Sequence, residues 1–307
     1  MADLDRMIQS LYAAAVDDEW QQFRPHALAL LSQWLGASSA AWHTHSASAL
    51  PGEFTEFPAA TGMARESMLA LKFPPGSREL LLDPLPPALA GGGSAPQTGL
   101  AVHYAHRGGT DLISTVLLRF PRSANPLNRE ECSRAIGHMI EAGSLSLKHF
   151  IQRDEWLNNL GRANRGAAAL IDEHGAVYVA SQRFRDAVTG ECGDPHFSVM
   201  PYAVPRDALE GNGSFVHGSL HFRVSGQGSL YVLYVRKRLP LDGLSPREQE
   251  IARALGSGKT FKTVARQYGI AISTVANHAS RIYKKLGIFR REELMELVRT
   301  PAQSHPH

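Results

Sequence analysis

Between Ile272 and Gly287 the chain sets polar groups of several chemistries at helical spacing. Ser273, Thr274, Asn277, Ser280, Arg281 and Lys284 fall to one side, and Val275, Ala279, Ile282 and Leu286 to the other. Hydroxyl, amide, guanidinium and ammonium groups turned outward on one helix can reach phosphates and base edges, so this segment reads as a helix that enters the major groove of a duplex. For each charged group taken alone, the competing reading is a solvated surface side chain.

Other groupings carry less. His43 and His45 would share a face of a strand, and His103 and His106 lie three apart, but neither pair has a carboxylate or cysteine placed to complete a ligand set. No metal or haem is expected. Cys132 and Cys192 stand sixty positions apart without a CxxC spacing, which argues against a disulfide framework or structural zinc, and Cys132 reads as a packing residue rather than a redox sensor. No GxSxG, P-loop, HExxH or paired-carboxylate motif appears, and Gly91-Gly92-Gly93 opens no phosphate-binding helix. Catalytic residues and cofactors are therefore expected to be none, and the chain is not expected to be an enzyme.

The elements that must hold the polar helix are legible around it. Ser245-Pro246-Arg247-Glu248 has the spacing of a capping box with Pro at the first helical position. Ile251, Ala254 and Leu255 then repeat at helical spacing until Gly256 and Gly258. Thr260 can cap a short helix with Phe261, Val264, Ala265 and Tyr268 inward, ended by Gly269. A last amphipathic segment runs from Arg291 to Arg299. From Arg236 to Thr300 the chain holds fourteen Lys or Arg against six Asp or Glu, a balance of +8 that leaves −5 for the rest of a chain whose total is +3. A basic tail on an acidic body suits a nucleic-acid-binding module attached to something else.

The run Leu244-Ser245-Pro246-Arg247-Glu248, with Gly258, Val264-Ala265, Thr274-Val275, His278, Ile282-Tyr283-Lys284-Lys285-Leu286-Gly287 and Arg291, resembles the four-helix DNA-binding domain of LuxR-type transcriptional regulators in unbroken register over about a fifth of the chain. The resemblance implies double-stranded DNA as the partner and Thr274, Asn277, Ser280, Arg281, Lys284, Lys285 and Arg291 as the residues that meet it. Asn277 suits bidentate pairing with adenine, Ser280 can contact many bases, and Arg281 can reach guanine or phosphate. Lys284, Lys285 and Arg291 look like phosphate contacts, which set affinity and register rather than sequence. His278 sits near the inner edge of the helix and reads as local packing. Two departures stand out. Ala271 occupies the position usually capped by Ser, a loss of typically about 1 kcal/mol that Ser273 offsets only in part. Ala276 stands where the family often has Lys, so operator preference does not transfer from relatives.

The first 240 residues must supply control. Residues 4 to 16 and Glu19 to Leu35 read as helices, Ala40 to Trp42 as a strand, and Gly99 to His106 with Leu112 to Phe120 as a hairpin across Arg107-Gly108-Gly109. Pro74 to Pro96, rich in Pro and Gly, reads as a flexible loop or insertion. From Leu127 a long helical pattern runs through Cys132, Ile136, Met139, Ile140, Leu147, Phe150, Trp156, Leu157 and Leu160 towards residue 164, as a connector rather than core. Ala167 to Asp172 and Ala176 to Ala180 read as strands across Glu173-His174-Gly175, with Ser181 capping a helix. Ser214 to Val224 and Ser229 to Val235 form a hairpin, and Val235 to Gly243 is a linker. The order of elements looks like a GAF-type domain followed by a short PAS-type one.

The expected fold class is thus multidomain: α+β sensory domains, GAF-like and PAS-like with antiparallel sheets, followed by an all-α four-helix LuxR-type helix-turn-helix domain. The expected division is 1–126 GAF-like, 127–164 connecting helix, 165–238 PAS-like, 239–243 linker and 244–300 DNA-binding. At 43% hydrophobic and 20% charged residues, wholesale disorder is excluded. No stretch is apolar enough to cross a bilayer as one helix, and Met1-Ala2-Asp3-Leu4-Asp5 lacks the features of a signal peptide, so a cytoplasmic protein with no membrane partner is expected. Asp17-Asp18-Glu19 opens a helix rather than a phosphorylated receiver, and the pattern of lactone-sensing members cannot be placed. The function expected is a sequence-specific DNA-binding transcriptional regulator, homodimeric through the long helix and through the last helix near Leu294 and Leu297, and responsive to an unidentified small-molecule effector. The alternatives are a cofactor- or ligand-binding sensor whose DNA domain is secondary, and a sigma-factor-like subunit with RNA polymerase as its partner.

Overall fold

The computed structural model describes residues 2–48, 50–90, 97–106, 110–121, 128–159 and 167–299. In chain order the elements are α1 (Ala2–Asp17), α2 (Trp20–Leu35), β1 (Ser39–Ser46), β2 (Glu53–Phe57), α3 (Arg65–Leu69), β3 (Glu79–Leu82), α4 (Pro87–Ala90), β4 (Gln97–Ala105), β5 (Leu112–Pro121) and α5 (Arg129–Asn159). They continue as β6 (Ala167–Ile171), β7 (Val177–Ala180), α6 (Gln182–Cys192), α7 (Arg206–Glu210), β8 (Ser214–His217), β9 (Leu220–Gln227) and β10 (Leu230–Lys237). A 3-10 turn (Pro240–Gly243) leads to α8 (Pro246–Gly256), α9 (Phe261–Tyr268), α10 (Ile272–Leu286) and α11 (Arg291–Arg299). The expected turn Arg107-Gly108-Gly109, the triple glycine, and Leu127 and Leu160 lie outside the described residues.

The first sheet is antiparallel in the order β2-β1-β5-β4-β3. Side chains alternate across its strands, and both faces are covered. Ala40 and Trp42 of β1, Leu100 and Val102 of β4, and Val116, Leu118 and Phe120 of β5 meet α1, α2 and α5. Ala41, Ala101 and Leu117 point the other way onto Met63, Met68, Leu85 and Leu89. The second sheet, β7-β6-β10-β9-β8, is antiparallel as well, and counted from its own first strand it repeats the order of the first. One face holds Ala167, Ala169, Ile171, Leu233 and Val235 against Phe184 and Val188 of α6. The other holds Ala168, Leu170, Leu230 and Val232 against Trp20 and Ile151 of the first unit. A continuous apolar run such as Ala167–Ile171 is what a strand buried on both faces requires.

Four expectations are corrected. Pro74 to Pro96 is not simply a loop: Glu79–Leu82 pairs with β4 as the sheet edge, where neighbouring prolines are tolerated, and Pro87–Ala90 forms one helical turn. The long helix is core and connector at once, because Cys132, Ile136, Met139 and Ile140 are fully buried on the first sheet while Ile151 packs on the second. Ser214 to Val224 is two strands, since Gly218, at φ +52°, turns the chain between β8 and β9. The linker begins later than Val235. Val235 to Lys237 ends β10, and Arg236 donates two hydrogen bonds, of 2.5 and 2.8 Å, to the Asp242 carboxylate. Strand β2 and helix α3 had no expectation attached to them.

Candidate nucleic-acid interface

The C-terminal unit is four helices around a single core. Ser245 caps α8: its Oγ accepts from the Glu248 amide, and the Glu248 carboxylate accepts from the Ser245 amide at 2.8 Å. Ile251 and Leu255 of α8, Val264 and Ala265 of α9, Val275, Ala279 and Ile282 of α10 and Leu294 of α11 meet inside. Thr260 caps α9 through the Thr263 amide. Gly269 and Gly287 take left-handed conformations, at φ +64° and +68°, and end α9 and α10 where a side chain would be strained. Ala271 supplies no cap to α10, and among the described residues no side chain, Ser273 included, replaces it.

With Val275, Ala279 and Ile282 inward, the opposite side of α10 faces solvent. Ser273, Asn277, Ser280, Arg281 and Lys284 are all exposed, and Thr274 is half-buried. Arg281 and Lys284 form no ion pair among the described residues. The other two expected cations are engaged. Lys285 reaches the buried Glu248 carboxylate at 2.7 Å, and Arg291 donates to the Lys259 carbonyl at 2.8 Å. The Lys285 ammonium and the Ser245 amide hold the Glu248 carboxyl down to about 2, against an ordinary 4.5. One carboxylate therefore ties the start of α8 to the end of α10. His278 is half-buried, and its Nδ1 finds no hydrogen-bond partner among the described residues. Leu294 is wholly buried in this unit's core, so it is withdrawn from the surfaces available for dimer contact.

Two exposed apolar residues of this unit escaped the sequence reading. Ile272 is 51% exposed and Phe289 89% exposed. Ile272 follows the helical period of Val275, yet it sits in the first turn, beyond the reach of the packed layer. Phe289 lies in the α10–α11 turn beside Arg290 and Arg291. A thymine methyl is one group that such an apolar side chain can meet in a groove.

His43 and His45 of the first sheet are occupied locally. His43 Nε2 donates to the Pro51 carbonyl at 2.6 Å and His45 Nδ1 to the Ser46 carbonyl at 2.9 Å. Among the described residues no three His, Cys, Asp or Glu side chains gather as a metal-binding group. Cys132 is buried, which pushes its thiol up to about 11, whereas Cys192 is exposed. No helix of the described residues is long and apolar enough to cross a membrane.

Short helices α8 and α9 packed across a longer α10, whose outer face is polar and basic, define a helix-turn-helix DNA-binding domain. The pattern describing "Bacterial regulatory proteins, luxR family" matches residues 242–298, and this segment is a LuxR-family domain. The chain is similar to the probable transcriptional regulatory protein SgaR of Hyphomicrobium methylovorum, 40% identical over 52 residues, 17% of this chain and 25% of that protein. The chain thus spans about a quarter of the length of that curated relative. Among solved structures it is similar to SdiA of Escherichia coli, at TM-score 0.34 and 10% identity over 95% of each chain. It is also similar to a VqmA–ligand–DNA complex of Vibrio cholerae, at TM-score 0.20 and 15% identity over 47% of this chain and 86% of that one.

Proposed function

We propose that this protein is a sequence-specific transcriptional regulator that binds double-stranded DNA as a homodimer and answers to a small-molecule signal held in its N-terminal half. The observation that carries the reading is the exposed row Ser273, Asn277, Ser280, Arg281 and Lys284 on a helix whose other side is locked into the C-terminal core. Asn277 and Ser280 read bases, Arg281 reads guanine or phosphate, and Lys284 holds phosphate. Arg291 and Thr274 flank that row. Two copies put two such helices one turn of DNA apart, and linkage of the two half-sites supplies the affinity that a single unit lacks. We divide the chain as the sequence suggests, into units at 1–126, 165–238 and 244–300 joined by the long helix and a short linker, and we read the two sheets as GAF-like and PAS-like; their shared strand order supports that reading. The protein works in the cytoplasm with its DNA.

Capture of genomic fragments by the full chain is the test. Wild type should enrich sites with two related half-sequences about one helical turn apart. Asn277→Ala should alter which bases are enriched. If the full chain enriches no fragment even at low ionic strength, the reading is wrong.

A further inference from the structure

A cavity lies in the seam between the first unit and the second sheet. Its walls come from α2, β1, β2, β5 and α5 with His106 after β4, Tyr178 of β7 closes it from the second unit, and it opens to solvent. Most polar groups around it are satisfied. The Arg24 guanidinium donates to the Glu53 carboxylate, to the Trp42 carbonyl at 3.0 Å and to Thr44 Oγ1 at 3.2 Å. Tyr178 donates to the Thr44 carbonyl and accepts from the Glu53 amide, each at 3.1 Å. The two His106 nitrogens meet Ser144 and Ser114.

Two groups are left over, Trp20 Nε1 and Arg24 Nε. Among the described residues both are buried without a hydrogen-bond partner, on side chains of residues only 5% and 8% exposed. Buried polar groups in native proteins are almost always paired, so two neighbouring orphans on one cavity are informative. Both are donors, so what is missing is an acceptor. Charge narrows the class further. Glu53 already neutralises Arg24, and burial lowers His106 to about 4, leaving it neutral at physiological pH. An anion or a cation would bring uncompensated charge into a largely apolar pocket. The rings of Trp20, Phe23 and Trp42 line what remains.

We propose that this seam cavity is a binding site for a small uncharged molecule that offers a carbonyl-type oxygen to Trp20 Nε1 and Arg24 Nε and sets a compact apolar body against the aromatic walls. Because Tyr178 belongs to the second sheet and the other walls to the first unit, an occupant touches both and favours one arrangement of them. This deepens the signal-responsive reading above, on which its link to DNA binding rests.

The test uses the full chain with its four tryptophan indoles labelled with nitrogen-15 and cyclopentanone as the probe. The Trp20 indole resonance, identified by its loss in Trp20→Phe, should move downfield and saturate, while that of Trp34 stays. Cyclopentylammonium should move neither. Ser144→Leu, which fills the cavity, should abolish the response. Trp20→Phe keeps the ring and removes the donor, so cyclopentanone should bind it about five- to tenfold more weakly, read on Trp42. A Trp20 resonance that does not move up to the solubility limit of cyclopentanone, or that moves equally in a folded Ser144→Leu, means the cavity holds ordered water only, and the proposal fails. Unchanged affinity in Trp20→Phe overturns it equally. Duplex binding by the same samples separates the two ideas: loss of DNA binding with an intact indole response sinks the regulator, and the converse sinks only the site.

Discussion

Lys284 and Lys285 are neighbours with different occupations. Lys284 is exposed and unpaired among the described residues, so Lys284→Gln should weaken binding on all duplexes alike and make the plot of log K against log salt shallower by about 0.9. Lys285 is spent on Glu248, and Lys285→Gln should chiefly destabilise the C-terminal unit by leaving a buried carboxylate unmatched. Thermal melting and the salt dependence of binding, measured on both variants, separate these outcomes; equal salt slopes would contradict the assignment. Glu248 also makes the unit acid-sensitive. Its carboxyl is held near 2 when folded and returns to about 4.5 when unfolded, so its contribution is whole above the unfolded value and disappears as pH falls from about 4.5 towards about 2. Hydrogen exchange of α8 and α10 amides across that range should show the loss, and Glu248→Gln should flatten it.

At the scale of elements, the contact between α8 and α11 leaves no room for even a methyl group. A Cβ on Gly256 would lie 2.4 Å from a methyl of Val298. Gly256→Ala should therefore push α11 away, lowering stability by about 1–3 kcal/mol by urea unfolding, and a second change, Val298→Ala, should recover part of the loss. The first sheet carries a pH dependence of its own. Burial holds His43 and His106 near 4, against an ordinary 6.5, so the unfolded chain binds more protons between those values. Stability conferred by the neutral rings is full above 6.5 and falls as pH drops through that value towards 4. Melting of the N-terminal half at pH 7 and pH 5 checks this, with His106→Gln expected to shrink the difference.

Across the whole molecule, specific contacts join the units. Tyr178 bonds to the backbone of β1 and β2, and Asp242 ties the approach to α8 back onto β10 through Arg236. Burial opposes the Asp242 charge, but hydrogen bonds from Arg236 and the Leu239 amide outweigh it and hold the carboxyl below the usual range. Asp242→Asn should loosen this joint while leaving both neighbouring folds intact. Limited proteolysis should then cut sooner between Lys237 and Leu244, with far-ultraviolet circular dichroism unchanged. Cleavage at the wild-type rate would show that the ion pair does not restrain the joint.

What was legible from residues alone was whatever is written locally. Capping boxes, helix-ending glycines and the stripe Val275, Ala279, Ile282 lie within a few positions of one another, so α8 to α10 and the outward set Asn277, Ser280, Arg281 and Lys284 followed from spacing. So did the Gln97–Pro121 hairpin, whose strands are adjacent in the chain. Edge strand β3 hid among prolines because its support is the partner strand, not its own composition. Pairings across long stretches of sequence were decided by the fold. Lys285 meets Glu248 across 37 positions and Tyr178 meets Thr44 across 134. Nothing in the period of a helix or strand encodes which distant group fills a buried vacancy. The two orphaned donors of Trp20 and Arg24 became visible only once α2, β1 and the second sheet had closed around them, because burial, which turns an unpaired N–H from ordinary into costly, is a property of the assembled chain.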